Sequence, residues 1–352
     1  MYRQFVALSG LAMLLILVNH SSTFVTTIPP MLGNSAVGGW QQDILDILQV
    51  FGILAVPIYL VISGAFLVYA FQGISKEKSA GVLFKFIWSS LERILWPYLI
   101  WSIIFYLVVY FFYDIRFTWL GYVKELLVGY PYNFVPLLIF YYLISPVVIW
   151  AGKRFPRLML ASILLYQMFL SSLLVPGLWG VVFPNWVSIL RPPIIGGTMA
   201  PWGIFFPIGV IYGLDKSSVV PWALKYKRVL IGIFLLSLAL SILDKLSVIH
   251  APQASYICPL AFVCLLPVID RNSIPMVKSL EQIGKRSYGF YLTQIVILDL
   301  VLYLVHVLVP GMFSYPVILA ILCFLLVLWA PWGLMTQMAK PPANRIYAYL
   351  FG

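Results

Sequence analysis

Phe5-Val6-Ala7-Leu8-Ser9-Gly10-Leu11-Ala12-Met13-Leu14-Leu15-Ile16-Leu17-Val18-Asn19-His20 opens the chain with a run that is apolar almost throughout and ends on an ionisable imidazole. As a helix, the run places Ser9 and His20 on one face, because eleven residues make about three turns, ~16 Å along the axis. The short basic start at Arg3 resembles that of a signal peptide, but no small-residue cleavage site follows Asn19-His20. The run is therefore expected to be a retained spanning helix with a histidine at its rim.

Composition extends this reading to the whole chain. Of 352 residues, 62% are hydrophobic and 9% charged, with a mean hydropathy of +1.00. Soluble domains carry roughly 25% charged residues. The expected class is an all-α, polytopic membrane helical bundle, with residues 1–352 forming a single integral-membrane domain. The net charge of +11 does not indicate a nucleic-acid partner, since no basic soluble domain exists to carry one. Basic residues collect in the cytoplasmic loops of membrane proteins. Cys258, Cys264 and Cys323 lie in or beside apolar runs without metal-ligand spacing, so they read as small core residues, and no metal is expected.

A membrane span needs about 20 predominantly apolar residues. Ten segments qualify: 5–20, 44–71, 94–112, 135–151, 157–175, 196–214, 228–246, 253–270, 287–309 and 313–337. With the N-terminus inside, eighteen of the 22 lysines and arginines fall in cytoplasmic segments. Only Arg116, Lys124, Arg191 and Lys245 fall outside. About ten transmembrane helices with both termini cytoplasmic satisfy the positive-inside bias. Two loops read as surface-lying. Gly73–Leu95, with Ser75-Lys76-Glu77-Lys78 and then Phe84, Phe86, Ile87 and Trp88, is a basic amphipathic stretch suited to anionic lipid. Tyr113–Asn133 suits an aromatic interfacial belt.

Few residues can carry chemistry in such a chain. His20 can act as a general base near neutrality, or serve only as a hydrogen-bonding partner between helices. Asp299 stands in mid-span with His306 seven residues on. Ionisable groups within spans usually face a bundle interior and tend to be functional. Asp299 either orients an imidazole or carries a proton, or is a protonated acid bonded between helices. Asp43 and Asp46 suit a first helical turn, though either could partner His20. Arg191 is a candidate ligand for an anionic or glycan acceptor, with Trp179 and Trp186 offering stacking faces, and interfacial anchoring is its alternative. His250 reads as a solvated loop residue.

Four motifs resemble the membrane-bound acyltransferase-3 family, which O-acylates carbohydrates and other acceptors. The opening helix ending in His20 is similar to the family's first helix. Val61-Ile62-Ser63-Gly64-Ala65-Phe66-Leu67 resembles its Ser-Gly segment, and Trp96-Pro97-Tyr98-Leu99-Ile100-Trp101 its Pro-Tyr-Trp segment. Ser287-Tyr288-Gly289-Phe290-Tyr291-Leu292-Thr293-Gln294 is similar to its late Ser-Tyr-Tyr-Leu-x-His segment. Two positions depart from the pattern: the arginine eleven residues before the histidine is Ser9 here, and the late histidine is Gln294. The family's arginine is thought to help handle the acyl donor, and Gln294 can hydrogen-bond but cannot exchange protons at neutral pH.

The resemblance implies an enzyme, an acyltransferase moving groups other than aminoacyl. Its donor would be cytosolic acyl-CoA (acetyl-CoA) and its acceptor a hydroxyl on a surface glycan or lipid-linked saccharide. The setting would be a bacterial plasma (inner) membrane, with membrane lipids as further partners and a role in polysaccharide biosynthesis. His20 and Asp299 would be catalytic, and Ser9, Ser63, Arg191, Tyr291 and Gln294 would bind substrate. The alternative is a non-catalytic polysaccharide exporter or assembly protein of the same fold. A proton-coupled transporter built on Asp299 would be expected to show paired interrupted segments in matching halves, which the sequence lacks.

Overall fold

The computed structural model describes residues 2–34, 38–74 and 80–352, and among them the regular structure is entirely helical. Helix α1 (Tyr2–Met31) has 30 residues, about 45 Å of axis. It continues eleven residues beyond His20, so the histidine sits within the helix and not at its rim. The polar residues that follow do not end the helix because their hydroxyls bond back to its own carbonyls. Ser22 donates to Val18 O at 2.8 Å, and Thr26 and Thr27 donate to Thr23 O at 2.8 and 2.9 Å.

Helix α2 (Gly39–Phe51), one tight turn at Gly52–Leu54 and helix α3 (Ala55–Ile74) form one continuous apolar span. Helix α4 (Ala80–Tyr113) runs for 34 residues through Pro97. The amphipathic stretch and the span expected after it are therefore one helix from residue 80 onward. Pro97 removes one backbone donor and crowds the carbonyl four residues before it, a break that helices in apolar surroundings tolerate. Ser75, Lys76, Glu77 and Lys78 lie outside the described residues.

Helix α5 (Trp119–Val128) starts on Thr118, whose hydroxyl accepts from Gly121 N at 3.1 Å, and stops at Gly129, whose φ is +87°. Trp119 and Leu120 are exposed, as an interfacial belt requires. The residues after α5 differ from that expectation, because the chain returns into the bundle: Tyr132 has no exposed surface and donates to Leu292 O at 2.6 Å.

Helices α6 (Phe134–Arg154) and α7 (Pro156–Leu174) precede two bent pairs. These are α8 (Gly196–Trp202) with α9 (Phe205–Leu214), bent by 56°, and α10 (Lys216–Lys225) with α11 (Lys227–Lys245), bent by 70°. The first break is satisfied from neighbouring helices. Gln167 donates to Pro201 O at 3.0 Å and accepts from Ile204 N at 2.8 Å, and Tyr141 donates to Gly203 O. Apolar surroundings demand such partners for freed backbone groups.

Helices α12 (Ala254–Leu265), α13 (Val277–Lys285), α14 (Ser287–Leu308), α15 (Pro316–Met338) and α16 (Asn344–Phe351) complete the chain. Among the described residues, seven helices are long and apolar enough to cross a membrane, or nine if each bent pair is one span. Nine of the ten expected segments coincide with these, and 253–270 falls on the shorter apolar helix Ala254–Val268.

Helix α1 is the axis of the bundle. Phe5, Ala7, Ala12, Met13 and Leu17 are fully buried. The amphipathic α13 clamps its first turns with the two backbones touching. A Cβ on Gly10 would lie 2.0 Å from Leu280 O, and one on Gly284 would lie 1.9 Å from Val6 O, so only glycine allows this approach. Arg271 Nε meets Glu281 Oε1 at 2.6 Å on the outer face of α13. That hydrogen-bonded guanidinium holds the Glu281 carboxyl below its ordinary range. Helix α14 runs parallel to α1, because Gly284 just before its start meets Val6 and His306 near its end bonds Asn34. We call the end of the bundle that carries Arg3, Arg93, Lys285 and Arg286 the basic end.

Candidate active site: two cavities meeting at His20

Two cavities lie back to back along α1 and α14. The first, about 400 Å³, opens at the basic end and is lined by Ser9, Ser63 and Tyr291, among others, together with Arg93, Lys285 and Arg286. The second, about 340 Å³, is lined by His20, Thr23, Tyr113, Tyr130, Asn133 and Asp299, among others. A thin layer separates them. Phe134 faces the first and its neighbour Asn133 the second; on α14, Tyr291 faces the first and Ile295, one turn later, the second. Gln294, fully buried, lies in this layer against the His20 imidazole.

The layer leaves polar capacity unused. His20 Nδ1 and Gln294 Oε1 are buried without a hydrogen-bond partner, and so is Asp299 Oδ2. An unpartnered buried polar atom costs about 1–3 kcal/mol, and these three lie where the two cavities adjoin. Asp299 lies five residues beyond Gln294, about 7.5 Å of helix rise, and no hydrogen bond joins it to His20. The Asp299 backbone carbonyl accepts from Tyr113 Oη at 2.8 Å.

The supporting groups are fixed by backbone contacts. Asn19 Nδ2 donates to Gln49 O at 2.9 Å, and a Cβ on Gly52 would lie 2.3 Å from that nitrogen, so α1 is pinned to the end of α2 one residue before the histidine. Ser9 Oγ donates to Phe5 O and Ser9 O accepts from Tyr59 Oη, each at 3.0 Å. Arg286 is held in place as well: its Nη1 donates to Thr336 Oγ1 at 2.7 Å, and its guanidinium stacks 4.6 Å over Trp332. Arg93 and Lys285 have no carboxylate partner within salt-bridge distance among the described residues.

The structure thus brings His20 and Asp299 together in one cavity, Ser9, Ser63 and Tyr291 in the other, and Gln294 between them. Arg191 belongs to neither. It is exposed and its side chain packs on Gly196. Trp179 is bonded to Ser171 at 2.7 Å and Trp186 is exposed. Neither early aspartate meets His20, since Asp46 pairs with Lys245 at 3.2 Å and Asp43 is exposed. His250 is 93% exposed, as a loop residue should be, and His306 is engaged by Asn34 at 3.0 Å. Cys258 and Cys323 are buried core residues.

Sequence reasoning treated Arg93, Lys285 and Arg286 only as loop charges and gave Asn19, Tyr113 and Asn133 no role. A signal existed for two of them: Arg93 stands just before Trp96-Pro97, and Asn19 is a polar residue in an apolar run.

A family model for an acyltransferase domain, that of the acyltransferase-3 family, matches residues 7–335. The chain belongs to the acyltransferase-3 family. No curated protein and no solved structure shows significant similarity to it. Membership makes the protein a membrane-embedded acyltransferase of groups other than aminoacyl, with an acyl donor, an acceptor and lipid around it. The match spans the first turns of this acyltransferase through α15, so both cavities lie almost wholly within the family domain.

Proposed function

We propose that this acyltransferase moves an acyl group, acetyl in the simplest case, from acyl-CoA to a hydroxyl of a surface glycan or lipid-linked saccharide. Its setting is a bacterial inner membrane, with the basic end in the cytoplasm. The observation that supports this reading most is that the cavity holding His20 and Asp299 adjoins one ringed by three cations. Phosphate groups are recognised by such cations, and Arg93, Lys285 and Arg286 compensate for the arginine replaced by Ser9. The donor's narrow arm would pass Ser9, Ser63 and Tyr291 to present its thioester at the dividing layer.

At that layer the acceptor O–H gives its proton to His20 and the oxygen forms a bond to the thioester carbonyl carbon. The C–S bond then breaks, and the CoA sulfur leaves as a thiolate that takes up a proton. Gln294 orients the ring, and Asp299 offers Oδ2 to a second acceptor hydroxyl. Hydroxyl, amide and aromatic side chains line the acceptor cavity with no Lys or Arg among its lining residues, which suits a neutral sugar better than an anionic one.

Membranes containing the wild-type chain, incubated with labelled acetyl-CoA, should label a glycan or glycolipid fraction. His20→Ala should lower incorporation by about 10²–10⁴-fold while the protein still accumulates in membranes. Undiminished labelling in that variant overturns the assignment.

A further inference from the structure

A third cavity, about 800 Å³ and larger than either of the two at His20, opens between α7, α9, α10 and α12. Its volume is in the range of ligand sites, ~300–1,000 Å³, and it reaches inward to Phe5 of α1. Leu160, Leu164, Ile208 and Leu260 make its walls apolar, while Lys153 and Arg157, at the α6–α7 corner, contribute two cations. Neither cation has a carboxylate partner within salt-bridge distance among the described residues. Asp215 is the one acid among the lining residues, and its Oδ1 already accepts from Ser217 Oγ at 2.7 Å and Ser218 N at 3.1 Å. Those hydrogen bonds hold its carboxyl below the usual range, so it remains charged and occupied as the cap of α10. Deeper in, Tyr212 forms part of the wall, and its buried hydroxyl has no hydrogen-bond partner.

We infer that this cavity is a site for one anionic glycerophospholipid of the surrounding bilayer, its headgroup phosphate at Lys153 and Arg157 and an acyl chain along the apolar wall. A basic pair above an apolar slot between membrane helices matches a lipid with a charged head and a hydrocarbon tail. The unpartnered Tyr212 hydroxyl offers a donor to an ester carbonyl, which a bare hydrocarbon would leave unused. The site is distinct from the His20 layer and does not rest on the acyl-transfer reading.

The test is native mass spectrometry of the purified full chain in detergent, titrated with phosphatidylglycerol or phosphatidylcholine. One phosphatidylglycerol should bind about 30-fold more tightly than phosphatidylcholine, which is about 2 kcal/mol for two basic residues. K153Q/R157Q should erase that preference. Ala161→Trp, which fills the slot one turn along α7 from Arg157 and keeps both cations, should expel both lipids. Monodispersity on size exclusion shows that each variant is folded, and either variant alone suffices if the other fails. Equal binding of the two lipids, a preference that survives K153Q/R157Q, or unchanged lipid retention by Ala161→Trp overturns the assignment. So does a saccharide-bearing lipid found in the slot instead.

Discussion

The two cavities that meet at His20 differ in charge and in what holds them in shape. The basic one is bounded by backbone touching backbone, where Gly10 and Gly284 admit α13 against α1, and it carries three cations. The other carries none and is shaped by side chains, with one carboxyl and several hydroxyl and amide groups. The difference teaches that a single layer of side chains divides a basic cavity from one without Lys or Arg, which on the proposed function would separate two recognition tasks. On that proposal one side would select for negative charge and the other for hydroxyl groups.

The comparison breaks most readily at the cations. Charged hydrogen bonds are worth about 1.5–3 kcal/mol each, so R93Q/K285Q should raise the KM for acyl-CoA by about a hundredfold. The acceptor KM should stay put; if both move together, the two cavities are not separate sites. Next in size is the wall itself. Gly284→Ala forces a Cβ onto the α1 backbone and should cost about 1–3 kcal/mol of stability, read as a lower denaturation midpoint in detergent.

Asp299→Asn keeps the volume and removes the acid. It should raise the acceptor KM about tenfold, about 1.4 kcal/mol, and leave the donor KM unchanged, the mirror image of the cation variant. Asn19→Ala should have the smallest effect. Losing the bond to Gln49 O, about 1 kcal/mol, should lower kcat about fivefold with both KM values intact, because the histidine loses its anchor and not its chemistry.

Much of this was legible in the residues. Phe5–His20 announced a spanning helix, and nine of the ten expected spans coincide with helices or bent pairs. His20 and Asp299 stood out because ionisable groups in apolar runs are costly to keep. The end of α1 was not legible, since Ser22, Thr26 and Thr27 look like a loop until their hydroxyls are seen bonding within the helix. The return of the chain at Tyr130–Asn133 was read as a surface belt because Tyr and Trp serve at interfaces and in cores alike. Arg93 and Lys285 looked like ordinary loop charges, and Arg191 looked like a site residue, because charge alone does not say which cavity it faces.

By itself the sequence determined a helical membrane bundle and the few residues able to carry chemistry. Apolar length and the cost of burying charge are properties of the chain, whatever it packs against. Only the tertiary structure decided that Ser9 and His20 serve opposite cavities, that Gln294 stands between them and that three loop cations ring one mouth. Spacing along a helix sets height and face, but a cavity exists only where separate helices fail to fill the space between them.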